Sequence, residues 1–89
     1  MGTTIDQYFK TVDGKKLGIM RRNLNVQFVP ILNASLEDIV WSKEKNINNI
    51  IINPLAGYYM LRVDDEILDD AESFKDTVKF YESHGWEKL

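Results

Sequence analysis

The sequence predicts an α+β domain, a small antiparallel sheet of about three to five strands. A C-terminal helix over residues 70–84 packs on one face, and a shorter helix spans 36–45. Three observations predict it. Ala71, Phe74, Val78 and Tyr81 recur at steps of three and four, which places them on one helix face. Residues 24–29 and 58–63 instead alternate: Leu24, Val26 and Phe28 against Asn25 and Gln27, then Tyr59, Leu61 and Val63 against Tyr58, Met60 and Arg62. Finally, 89 residues fall below the ~100–150 usual for a domain, so residues 1–89 read as a single globular unit.

The N-terminus supports two readings. Ile5, Tyr8, Phe9 and Val12 fit an amphipathic helix, with Thr3 and Asp6 as its capping box. Asp13–Gly14 equally suits a type I′ hairpin turn, which sets Phe9 opposite Gly18. Lys16–Met20 is a strand in either case. Pro30 cannot donate to a ladder and marks the end or edge of strand 24–29. Ser35 and Asp38 resemble a capping pair for the 36–45 helix; Leu36, Ile39 and Val40 supply its apolar face, and Lys43 and Lys45 suit its C-terminal end. Residues 47–52 are rich in β-branched side chains. Asn53–Pro54–Leu55–Ala56–Gly57 can turn them into strand 58–63 as an antiparallel hairpin. Asp64–Asp65 suits another tight turn, into a short strand Glu66–Leu68. The last helix has Asp69 or Asp70 to cap its start, and Gly85 as a left-handed stop that lets Trp86 fold back on Tyr81.

Composition narrows the function classes. There is no cysteine, which removes disulfides and thiolate zinc sites and favours a reducing compartment. The N-terminus MGTTIDQYFK has no apolar core, so no signal peptide is expected. No apolar run approaches the ~20 residues of a spanning helix, so no membrane partner is expected. The expected location is cytoplasmic, or the host-cell cytoplasm for a phage-encoded chain. The net charge of −3 hides an asymmetry. Residues 1–25 hold five basic and two acidic side chains, and residues 64–89 hold nine acidic and three basic. The molecule can present two faces of opposite sign if the fold keeps these segments apart.

The acidic stretch is the first candidate site. Asp64, Asp65, Glu66, Asp69, Asp70, Glu72 and Asp76 form either an electronegative patch for a basic protein surface, or simply a turn and a helix start, both of which attract acids. A calcium loop fails, because the glycine and glutamate it needs at positions six and twelve are Asp69 and Lys75. Tyr58, Met60 and Arg62 are a second candidate. They share one strand face and are residue types enriched at interfaces, unless a further helix covers them. A third is Lys10, Lys15, Lys16, Arg21 and Arg22 beside Tyr8 and Phe9, types that can bind phosphates and stack bases. Trp41 and Trp86 read as packing residues. His84, the one histidine, reads as a complement to the helix C-terminal dipole. The chain has no nucleophile elbow, phosphate loop or dinucleotide fingerprint, and no enzyme activity, metal or cofactor is expected.

In size and composition the chain is similar to the small acidic proteins of phages and mobile elements that inhibit host or defence proteins, anti-CRISPR proteins among them. Its wealth of lysine, asparagine and isoleucine, which have AT-rich codons, fits a low-GC source. The expected function is a non-enzymatic protein-binding module, a candidate inhibitor of a host or defence protein. Its patch of Asp64, Asp65, Glu66, Asp69, Asp70 and Glu72, extended by Tyr58, Met60 and Arg62, engages a partner with a basic surface. The alternative is a small nucleic-acid-binding regulator using Lys15, Lys16, Arg21 and Arg22. An exposed edge at 24–29 or 58–63 also offers a homodimer contact.

Overall fold

The computed structural model describes residues 2–25 and 28–89. Its centre is the first strand, β1 (Gly2–Thr11), whose Thr3, Ile5, Gln7, Phe9 and Thr11 are all buried. The hairpin reading of the N-terminus holds. β2 (Lys16–Leu24) runs antiparallel to β1, with Phe9 opposite Gly18. The turn differs from the type I′ expectation. Gly14 is left-handed and Asp13 is not, the Gly14 N–H donates to the Thr11 carbonyl, and the Thr11 N–H donates to the Lys15 carbonyl. That is a three-residue loop, offset by one residue from a two-residue turn. A bulge at Leu17 restores the offset, so Lys10 faces Lys16 while Phe9 faces Gly18.

After β2 the chain crosses to the other side of the sheet. The short β3 (Ser35–Leu36) pairs with the start of β4 (Lys45–Asn53), and β4 forms the expected hairpin with β5 (Tyr58–Val63), turned by a left-handed Gly57. β5 then lies parallel to β1, and β6 (Glu66–Leu68) continues along the same edge of β1, also parallel. Asp64–Asp65 is therefore a jog between two collinear strands, not a reversal. The fully buried Gln7 spans it, its side-chain amide donating to the Asp64 carbonyl at 2.7 Å. The helix α1 (Ala71–Glu82) follows, and β7 (Glu87–Lys88) closes the far edge against β2.

α1 starts and stops as its sequence dictates. The Asp70 carboxylate accepts the Ser73 N–H at 2.8 Å. Gly85 is left-handed, and the Trp86 N–H donates back to the Tyr81 carbonyl, a Schellman stop that packs the two rings edge-on, 5.2 Å apart. Phe74 and Tyr81 pack on Phe9, with ring centroids 5.3 and 5.2 Å away. Gly18 makes room for this contact, since a Cβ there would lie 2.7 Å from the Phe74 ring. Burial pushes the Tyr81 phenol above its ordinary pKa.

Several expectations are corrected. The sheet has seven strands in mixed orientation, and α1 is the one helix among the described residues. The sheet is mixed because the crossover after β2 delivers the β4–β5 hairpin to the opposite edge of β1, where β5 runs parallel to it. The 36–45 helix does not form. Ten residues are too few to hold a helix without tertiary support, and here the tertiary contacts favour an open chain. The Asp38 carboxylate meets the Arg22 guanidinium at 2.7 Å, the Val40 N–H at 3.2 Å and the Trp86 indole N–H at 3.4 Å. Trp41 is buried 5.9 Å from Trp86, while Ile39 points to solvent. The 24–29 strand ends at Leu24, with Phe28 and Val29 outside any strand and Val26 and Gln27 outside the described residues. Strand 58–63 is no edge, because β4 and β1 flank it.

Candidate protein-contact face

The seven-stranded sheet has two unlike faces. α1 and the crossover segment cover the one that carries Ile5, Phe9, Met20, Leu61 and Val63. Side chains alternate along a strand, so the neighbours of these residues point the other way. Thr4, Asp6, Tyr8 and Lys10 from β1 share that second face with Ile19 and Arg21 from β2 and with Tyr58, Met60 and Arg62 from β5. Among the described residues no element lies over it. The covering helix that would have made Tyr58, Met60 and Arg62 ordinary core-edge residues is absent there.

The open face is ordered by its own contacts. Arg21 grips Asp6 with two hydrogen bonds of 2.7 and 2.8 Å, a fork geometry that fixes both side chains. The carboxylate pushes the Arg21 guanidinium above its already high pKa. Arg62 lies 3.7 Å over the Tyr8 ring and meets Asp65 at 3.1 Å, and Lys10 reaches the same carboxylate at 3.5 Å. Glu87 shares the face with Arg21 at its edge. Four basic groups (Lys10, Lys16, Arg21, Arg62) and three acidic ones (Asp6, Asp65, Glu87) alternate across it, around apolar area from Tyr8, Ile19, Tyr58 and Met60. The surface is therefore amphiphilic and close to charge balance.

The acidic stretch is not one patch. Asp64 accepts the Asn46 N–H, Asp65 pairs with Arg62 and Lys10, and Glu66 pairs with Lys45 at 2.6 Å. Asp70 caps α1, and Glu72 reaches Lys75 one turn on. Asp69, just before α1, and Asp76, midway along it, are exposed on the covered side of the sheet. Of the acids, only Asp65 joins the face that carries Tyr58, Met60 and Arg62. The basic candidates are divided as well. Lys15 and Lys16 sit at the first hairpin, Arg21 lies on the open face, and Arg22 lies on the covered face, held by Asp38 and by the His84 carbonyl at 2.5 Å.

His84 packs edge-on to Phe80, with centroids 5.0 Å apart, and makes no hydrogen bond to a carboxylate. Among the described residues no three acidic or histidine side chains converge to hold a metal ion. No helix is long and apolar enough to cross a membrane. Sequence reasoning found Tyr58, Met60 and Arg62 through their alternation. It did not join Asp6, Tyr8 and Ile19 to that face: in sequence, residues 4–12 are open between helix and hairpin, Tyr8 falls beside the basic residues, and no local signal sets strand 58–63 parallel to β1. Compared with protein-family models, curated proteins and solved structures, the chain matches none.

Proposed function

We propose that this domain is a non-enzymatic protein-binding module whose contact surface is the open face of the sheet. The carrying observation is that Tyr8, Tyr58, Met60 and Arg62 lie together on a face with no covering element among the described residues. These side chains offer large contact area at low entropic cost, and their pre-formed ion pairs need little ordering on binding. The near-balanced charge suits a partner surface that is itself amphiphilic and of mixed sign, in place of the uniformly basic partner that an acidic patch would need. A host or defence protein inhibited by a small phage or mobile-element protein is the partner class proposed first, on size and composition. A cytoplasmic setting belongs to the same proposal, with the lack of cysteine in its favour.

Affinity capture from lysate, with and without nuclease, tests this when run on three proteins. The wild type is expected to enrich one protein regardless of nuclease. A Tyr58→Lys/Met60→Glu variant is expected to lose that protein at least tenfold, roughly the 1.4 kcal/mol of one hot-spot contact. Asp69→Lys/Glu72→Lys, on the other side, is expected to keep it. Capture retained by the first variant and lost by the second restores the acidic-patch reading. Recovery of nucleic acid alone moves the function to the basic residues Lys15, Lys16, Arg21 and Arg22.

A further inference from the structure

The outer edge of β4 has a free stretch with a self-complementary sequence. Among the described residues only its first positions are covered, where Ser35–Leu36 pairs with Lys45 and Asn46, and where Asn33 and Ala34 bond the Ile47 carbonyl and N–H at 2.8 and 2.9 Å. Among the described residues nothing pairs with the edge from 48 to 53. Edges are ordinarily blunted by lysine, proline or a covering loop. This one carries no charge from Asn46 to Asn53, and Ile51 and Ile52 are 52% and 59% exposed. The opposite edge of the sheet, by contrast, ends in Glu87–Lys88. The bulge at Asn48 and the missing N–H of Pro54 bound the free window.

We infer that a second copy of this chain pairs with this edge, antiparallel, about a two-fold axis at Ile51. Two independent features select that register. The first is backbone direction. The Asn53 carbonyl accepts the Gly57 N–H inside the hairpin, so by the alternation of an antiparallel ladder the peptide groups of Ile50 and Ile52 point away from β5. Pairing about Ile51 opposes Ile50 to Ile52 of the second copy and Ile52 to its Ile50, so that every outward group meets an outward group. The second is the sequence: Asn49–Ile50–Ile51–Ile52–Asn53 reads the same in both directions. In this register Asn49 meets Asn53 and Ile51 meets Ile51, each residue facing its own type. The neighbouring registers of the same parity, centred on residue 50 or 52, oppose Ile51 to an asparagine. Such like-with-like pairing is what an isologous interface demands, and it argues for a second copy over an unrelated strand. The contact is small, so the dimer is expected to be weak and concentration-dependent. It continues one sheet into the next and leaves both open faces free.

Sedimentation equilibrium at rising concentration into the sub-millimolar range tests the pairing. The wild type is expected to climb from 10.4 kDa towards twice that mass. Ile51→Lys and Ile51→Glu alter a half-exposed side chain. Each alone is expected to stay monomeric with unchanged circular dichroism, and their equimolar mixture to regain the dimer, because position 51 faces itself. As a second route, Ile51→Cys introduces the sole cysteine at a non-hydrogen-bonded pair, where Cα atoms lie about 4.5 Å apart, within disulfide span. It is expected to cross-link to itself faster than the fully exposed Leu55→Cys. A wild type that stays at the monomer mass overturns the inference. So do charged variants that associate as the wild type does, a mixture that fails to regain the dimer, or cysteine variants that cross-link at equal rates.

Discussion

Residues 71–86 and 36–45 begin with similar sequence signals and end as opposites. Both open on a short acid or hydroxyl that can cap a helix, and both carry apolar residues at steps of three and four. The first becomes α1 and the second a turn-containing loop that closes β3 onto β4, its ends paired at Leu36 and Lys45. α1 satisfies its own termini, through Asp70 at the start and Gly85 at the stop, and its apolar face needs only a flat sheet to rest on. In 36–45 the would-be capping acid has a stronger partner elsewhere. Asp38 accepts from Arg22, which projects from the covered face of β2, and from Trp86 beyond the end of α1. A helix there would pull Asp38 and Trp41 off these contacts. Local signals decide secondary structure where they are self-contained, and lose where one side chain is bound from afar.

Asp38→Ala has the largest expected effect. It leaves the Arg22 guanidinium on the covered face over the Trp86 ring, with the His84 carbonyl as its one remaining hydrogen-bond acceptor among the described residues. The Asp38 side chain is 9% exposed and that of Arg22 is 20% exposed. The expected cost is about 2 to 3 kcal/mol, at the low side of breaking a buried pair because Arg22 keeps some water. A fall in the urea midpoint at constant slope is the readout. A loss below about 0.5 kcal/mol would mean that the crossover is held by Trp41 alone.

Gly85→Ala probes the place where the two regions touch. Gly85 has φ 91°, and an added Cβ would lie 3.2 Å from Arg22 Nη1. The left-handed penalty sets an expected loss of about 1 to 2 kcal/mol. Combined with Asp38→Ala, the total should fall short of the sum, because a released Arg22 can move aside. Strict additivity would separate the helix stop from the crossover.

Asp70→Ala has the smallest expected effect and a pH signature. The Ser73 backbone N–H, donating to its carboxylate, holds Asp70 below the usual carboxylate value of 3.8. A carboxyl with a lowered folded pKa stabilises above its unfolded value and loses that contribution as pH falls through the folded one. The wild type should therefore melt above the variant at neutral pH, with the gap closing below pH 3.8. A gap that persists in stronger acid would assign the loss to helix propensity instead of the cap.

Much of the candidate face was legible before the fold. The alternation of Tyr58, Met60 and Arg62 against Tyr59, Leu61 and Val63 holds in β5. What could not be read was whether anything covers them, because cover depends on where the crossover and α1 pack. Similarly, seven acids within residues 64–76 look like a patch in sequence. Three of them, Asp64, Asp65 and Glu66, find a hydrogen-bonding or ionic partner in Asn46, in Lys10 and Arg62, and in Lys45, while Asp70 and Glu72 bond within α1.

Local signals fix the α1 cap and Schellman stop, the β4–β5 hairpin and the alternation of β5, while between helix and hairpin for the first strand they leave the choice open. Long-range contacts set β5 and β6 parallel to β1, keep 36–45 from winding into a helix, and leave one face of the sheet without a covering element among the described residues. The reason is range. Caps, turns and side-chain periods are settled among residues a few positions apart. Strand order and burial are settled by groups such as Arg22, Asp38, Trp41 and Trp86, whose meeting no local pattern records.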